Sequence, residues 1–407
     1  MNTSRSGPMG GRWMGAAVAV ALLLCLAAGL SVAFYNNLTH TYPGANDFYI
    51  PWRASRELFV AGRNPYSAEV TRDIQIVLFG APRRPDEHQY AFAYPLPVSL
   101  LLSPLVRLPY DAAEAAWLSI CLILLMLSVA ALTLPARPGR LLAFLAFGVL
   151  FYPAARSLIL GQFAIVVLAA FTAGILALRG GKRYDWLAGA AFAISALKPQ
   201  MVFLALPVVV VWAVQQRRFA LLASGGVLLG VLSALAWFAL PSWPSDFLES
   251  LRAYNGYVEL NSPTGILLGD TALLNMANLA LVAMLAAYAG SEWVARWPHL
   301  EELLCFALIV SQLIAPRTST TNQIVLLIPL LIWLKQLAGL RRLGVMLMLV
   351  GVPWAVFLVT IHGNEEQVPA FLFVPFFCLA WALVNWYRNS RPPVGERNTG
   401  RSLTAHG

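Results

Sequence analysis

The chain has 407 residues, of which 59% are hydrophobic and only 12% charged, with a formal net charge of +9. Soluble domains carry about 25% charged residues, so this composition argues against a soluble enzyme. The surplus of Lys and Arg is what cytoplasmic loops of membrane proteins accumulate, and it argues against a nucleic-acid binder. The apolar runs are too long and too evenly apolar for the alternating strands of an outer-membrane barrel. An all-α polytopic membrane protein is expected. Cys25, Cys121, Cys305 and Cys378 all lie inside apolar runs. They read as small core residues, and no Cys/His cluster has zinc spacing. No metal and no cofactor are expected.

In chain order, about twelve spans are predicted, over residues 13–35, 111–134, 141–158, 161–178, 184–197, 201–214, 219–240, 271–290, 301–315, 321–337, 343–361 and 369–388. The first has a basic start like a signal peptide, but its apolar run is too long for one and shows no clear cleavage site, so it reads as a retained span. Residues 36–110 form a long first loop. Within it, FYIPWRASRELFVAG reads as an amphipathic helix with Tyr49, Trp52, Leu58 and Phe59 resting in the membrane interface. Tyr94 to Arg107 is apolar but short, with Pro95, Pro97 and Pro104, and reads as a re-entrant or interfacial helix. The run from Tyr184 to Val214 is interrupted by LKPQ, Leu197 to Gln200. Read as two half-spans of about 14 residues, each reaches about 21 Å at about 1.5 Å per residue, against a hydrocarbon core of roughly 30 Å. The LKPQ turn is therefore expected to be recessed, where irregular backbone lines a cavity or is buried in protein. The short span ending at Ala315 suggests the same for APRTSTTN, Ala315 to Asn322. Residues 1–388 read as one transmembrane domain and 389–407 as a disordered cytoplasmic tail.

Charge orients the bundle. With the N-terminus cytoplasmic, the inner loops carry Arg137 and Arg140; Arg179, Lys182 and Arg183; Arg217 and Arg218; Arg296; and Lys335, Arg341 and Arg342. The short outer connections hold one cation each: Arg156, Lys198, Arg252 and Arg317. The positive-inside rule predicts this asymmetry. It gathers on the outer side the first loop with Asp47, the pair Gly161–Gln162, LKPQ, the loop from Pro241 to Asp270, APRTSTTN, and HGNEE, His362 to Glu366.

Asp47 also reads as a helix cap, Lys198 as a snorkelling lysine, Arg317 as a surface charge, and Tyr49, Trp52 and Tyr66 as an aromatic belt. The order and spacing of DFYIPWRASRELFVAGRNPYS, AYPLPVSLLLSPLVRLP, GQFAIVVLAAF and AGAAFAISALKPQ add a further reading. Together they resemble the polyprenol-phosphate-sugar-dependent glycosyltransferases of the GT-C fold, and within them glycosyltransferase family 87, which includes bacterial α-mannosyltransferases. The resemblance runs from about residue 13 to 388. It implies a GT-C-like bundle in the cell (inner) membrane. It also implies transfer of a hexose, mannose first, from a polyprenyl-phosphate donor to a lipid or glycan acceptor on the extracytoplasmic face. Asp47 matches the acidic residue proposed as general base in these enzymes. One departure stands out: some members carry a histidine in a late outer loop, where this chain reads APRTSTTN with Arg317.

The chemistry of such a transfer asks for cations at the departing phosphate, for which Lys198 and Arg317 are the candidates. A single carboxylate accepting the acceptor's proton suggests direct displacement with inversion. Tyr49, Trp52, Arg53, Arg56, Tyr66 and Gln162 are candidate substrate contacts, and Asp270 and Glu365 are the fallback bases. The alternative is a transporter or flippase of lipid-linked saccharides. Transporters show inverted repeats with broken helices in both halves; this chain has one clear broken helix and no visible repeat.

Overall fold

Long Leu-, Ala- and Val-rich runs with no alternating pattern can satisfy their backbone in lipid only as helices, and the folded chain is built from them. The computed structural model describes residues 9–257, 262–269, 271–316, 318–361 and 368–389, and among these there is no β-strand. Helix α1 (Met9–Phe34) runs through a π-helical turn, Tyr35–Thr39, into the first loop. That loop holds α2 (Asn46–Ala61), α3 (Ala68–Phe79) and the short α4 (Pro97–Leu102), followed by a 3-10 turn, Ser103–Leu105. Then come α5 (Tyr110–Thr133), α6 (Pro138–Leu150), α7 (Tyr152–Ile159) and α8 (Ala164–Arg179). Helices α9 (Asp185–Ser195) and α10 (Ala205–Gln215) are separated by a 3-10 turn, Pro199–Met201, and followed by α11 (Phe219–Ala239). The next connection carries α12 (Trp243–Tyr257) and α13 (Pro263–Leu268). The last third comprises α14 (Ala272–Ala295), α15 (Leu300–Ile314), a 3-10 segment (Thr320–Leu326) leading into α16 (Leu327–Leu334), α17 (Gly339–Thr360) and α18 (Phe373–Asn389).

Each of the twelve apolar segments read from the sequence is helical, but they are not twelve equivalent spans. Among the described residues, six helices are long and apolar enough to cross a membrane, and a seventh if α6 and α7, bent by 61°, count as one. Helices α9 and α10 have 11 residues each, about 16 Å apiece. This is shorter than the half-spans expected, because the irregular backbone around Pro199 runs from Ala196 to Leu204. The long helices turn apolar side chains outward: Leu22 and Leu24 on α1, and Val227, Val231 and Leu235 on α11, are exposed. Exposed apolar stripes of this kind suit contact with lipid tails. Close packing of α9 on α11 depends on Gly189, whose Cα lies against the Leu221 carbonyl and the Ser224 hydroxyl of α11.

Polar contacts tie one end of the bundle together. Arg179, ending α8, clasps Glu301 at the start of α15 through two hydrogen bonds of 2.8 and 2.6 Å. Arg218 pairs with Asp185 between α10 and α9. Lys335, after α16, donates to the Leu132 carbonyl at the end of α5. These are the loops whose basic residues mark the expected cytoplasmic side. Cys121, Cys305 and Cys378 are free and buried, while Cys25 is free and exposed on α1.

Candidate active site

The first loop is pinned to α5. The Gly44 N–H donates to both carboxylate oxygens of Glu114, at 3.0 and 3.1 Å. The Tyr110 hydroxyl donates to the carbonyls of Gly44 at 2.6 Å and Ala45 at 3.1 Å. Ala45 takes a left-handed backbone, φ 46°, and α2 begins at the next residue. Asp47 thus sits in the first turn of α2, where the helix dipole favours negative charge. It is not the cap that a reading of the sequence allows; the cap position is held by Ala45.

Phe48 stacks on Trp117 of α5 with ring centroids 5.1 Å apart, and Trp117 stacks in turn on Phe163. The Trp117 indole donates to the Gly161 carbonyl at 2.7 Å. Gly161 has φ 64°, and a Cβ there would fall 2.7 Å from that of Phe48. Only glycine meets both demands. The turn between α7 and α8 can therefore press against the start of α2 and hand the next side chain, Gln162, to Asp47.

Gln162 is buried. Its Nε2 donates to Asp47 Oδ2 at 2.5 Å, and its Oε1 accepts from Lys198 Nζ at 2.8 Å. A carboxylate can only accept and an ammonium can only donate, so this amide orientation is the one that serves both. Lys198 is 5% exposed, in the break between α9 and α10, with its Nζ 5.9 Å from the centre of the Tyr94 ring. The three residues line one cavity of about 370 Å³, closed by Tyr94, by Phe247 and Tyr254 of α12, and by Pro316, Ser319, Thr321 and Asn322. The cavity lies at the end of the bundle opposite the Arg179, Arg218 and Lys335 contacts. Among the described residues, no three His, Cys, Asp or Glu side chains come together as a metal ion would need.

Asp47, Gln162 and Lys198 are thus brought together from three separate segments. The other described candidates lie elsewhere. Tyr49 and Trp52 are buried, rather than resting in the membrane interface as their spacing suggested. Tyr49 packs edge-on against Tyr110, and the Trp52 indole donates to the Leu105 carbonyl. Arg56 donates to the Val106 carbonyl at 2.7 Å, so these two residues satisfy carbonyls that the α4 segment leaves open at its end. Arg53 and Arg63 both bind the buried Glu57, and Arg63 also binds Asp73. Arg53, Arg56 and Arg63 thus hold the architecture of the first loop. Tyr66 donates to the Tyr94 carbonyl and faces a separate polar cleft with Arg72 and Asp246. Arg317, Asp270 and the HGNEE segment with Glu365 lie outside the described residues, as does the expected tail beyond Asn389.

Sequence reasoning missed His88, Tyr94 and Tyr254, all in the cavity wall. His88 accepts at Nδ1 from the Tyr90 N–H, at 3.1 Å, and meets the Tyr254 ring edge-on. Burial, with a smaller push from Arg83, lowers its imidazole from 6.5 to about 4. Burial also raises the Tyr94 phenol, so it remains a neutral donor. The YPLP motif drew attention to Tyr94 only as the start of a re-entrant or interfacial helix, and nothing in the pattern around His88 or Tyr254 pointed to a cavity.

No curated protein and no solved structure matches the chain. The profile of Glycosyltransferase family 87 matches residues 92–319, more than half of the 407 residues. The matched stretch includes Gln162, Lys198 and the cavity-lining Pro316 and Ser319, and begins after Asp47. A helical membrane bundle with a carboxylate, an amide and a buried ammonium in one cavity, matched over this length, belongs to glycosyltransferase family 87.

Proposed function

We propose that this membrane glycosyltransferase moves a hexose, mannose first, from a polyprenyl-phosphate donor to a hydroxyl of a lipid or glycan acceptor on the extracytoplasmic face. The observation that carries this reading is the Asp47–Gln162–Lys198 chain in one cavity. An acceptor hydroxyl gives its proton to the Asp47 carboxylate as its oxygen bonds to the anomeric carbon. The bond from that carbon to the phosphate oxygen breaks, and the phosphate leaves with the electron pair. Lys198 meets the charge that grows on the phosphate, in a site shielded from water where a fixed cation is most effective. Arg317, two residues before the cavity-lining Ser319, is the second cation of this scheme. Among the described residues that line the cavity Asp47 is the one carboxylate, and a base acting without a second carboxylate as nucleophile favours inversion. Gln162 orients the Asp47 carboxylate through its amide N–H. The cationic loops at the opposite end of the bundle support an outward-facing cavity.

The test is transfer from radiolabelled polyprenyl-phosphate sugars to a membrane glycolipid extract, with purified protein in lipid nanodiscs. Asp47→Asn should lower the rate by about 10²–10⁴, the usual contribution of a general base. It should remain folded, because Glu114 and Tyr110 hold the start of α2. Lys198→Gln should weaken donor binding. Transfer by Asp47→Asn at the wild-type rate would remove Asp47 from the mechanism.

A further inference from the structure

Asn322 is 4% exposed, lies in the 3-10 segment before α16, and lines the same cavity as Asp47 and Lys198. Its Nδ2 donates to Thr318 Oγ1 at 3.3 Å, but its Oδ1 is buried with no hydrogen-bond partner among the described residues. The polar groups beside it are already served. Ser319 and Thr321 bond each other through their hydroxyls, and Gln162 is occupied at both ends. Buried acceptors are nearly always paired, and leaving one unpaired is costly.

We propose that Asn322 Oδ1 accepts a hydrogen bond from a hydroxyl of the sugar being transferred, and so helps decide which sugar the enzyme takes. An amide oxygen can only accept, so its partner must bring a proton. The ionised phosphate and the polyprenyl chain both lack one; a saccharide hydroxyl does not. The sugar must lie between Lys198, which faces its phosphate, and Asp47, which faces the attacking hydroxyl, and Asn322 shares that space. This rests on the transfer reading given above, with the sugar rather than the acceptor as the source of the hydroxyl.

The experiment compares wild type with Asn322→Leu in nanodiscs. It measures thermal unfolding without ligand, and calorimetric binding of citronellyl-phosphate-linked mannose, glucose and galactose and of the monodeoxy forms of the best binder. Leucine keeps the branched shape and removes both the unpaired acceptor and the long 3.3 Å bond to Thr318, two opposing effects, so the unfolding temperature should change little. Binding of the best donor should weaken about tenfold or more. One deoxy donor should bind wild type with that same loss and show no further loss with Asn322→Leu, as in a double-mutant cycle. A lower unfolding temperature with unchanged binding would make Asn322 structural and overturn the proposal. So would binding by none of the three donors, or equal further losses for every deoxy donor. A loss of binding seen only for an acceptor glycoside would assign the hydroxyl to the acceptor and likewise overturn it. Donor binding that depends on Asn322 without any transfer would leave this inference standing and sink the transfer reading; transfer indifferent to Asn322→Leu would do the reverse.

Discussion

At the residue scale, the site depends on Gly161 as much as on the groups that do chemistry. Alanine there meets a positive φ and the side chain of Phe48 together. Strain at such a position costs more than about 1 kcal/mol, and relief would come from moving the α7–α8 turn away from α2. Gly161→Ala should therefore lower transfer sharply while donor binding through Lys198 declines less, a split visible in kcat against KM. Gln162→Leu should act like Gly161→Ala on kcat, because both undo the amide's hold on Asp47. His88 gives a pH test. Its imidazole is lowered from 6.5 to about 4 in the folded protein, so the unfolded chain binds more protons than the folded one between those values. Stability from this group is full above about 6.5 and is lost as pH falls toward 4. Thermal unfolding followed across that window should be less pH-dependent in His88→Gln than in wild type.

Among elements, α9 is the most exacting. Gly189 lets its backbone meet α11, and three residues after its end comes Lys198. Gly189→Leu would wedge the two helices apart, at a cost of about 1–3 kcal/mol for overpacking. A lower unfolding temperature together with weaker donor binding is the expected result. The break between α9 and α10 was legible because Lys198 and Pro199 interrupt an apolar run. The helix of α2 was legible too, from aromatics at turn spacing. What covers its apolar face was not: periodicity reports that a face is apolar, and α5 and the α4 segment cover it here instead of lipid. Helix α12 carries Trp243, Phe247, Leu251 and Tyr254 at helical spacing, but its Asp, Glu and Arg made the stretch from Pro241 to Asp270 read as an outer loop, and an apolar stripe does not say what it covers.

For the whole molecule, charge asymmetry predicts which end of the bundle faces out. Lys182 and Glu249 are both exposed and sit toward opposite ends. In a Cys25→Ser background, a membrane-impermeant maleimide on intact cells should label Glu249→Cys, and should reach Lys182→Cys only after permeabilisation. The reverse pattern would turn the cavity inward. The convergence of Asp47, Gln162 and Lys198 was readable from counting the parity of the spans between them. The number of spans was less so, because apolar composition counts segments and takes no account of bends or of helices too short to cross alone.

The amide of Gln162 stands between two opposite charges that are one side chain apart. Had Asp47 and Lys198 touched, each would be the other's counter-ion, and every catalytic cycle would begin by prying them loose. With a neutral spacer, each of the two charges bonds the amide instead of the other. On the proposed reading, a phosphate would approach the ammonium and a hydroxyl the carboxylate without a direct ion pair between Asp47 and Lys198 having to break first. The order in which the two substrates enter is then left to access through the membrane and the outer loops, and steady-state kinetics on this enzyme should show random rather than compulsory addition.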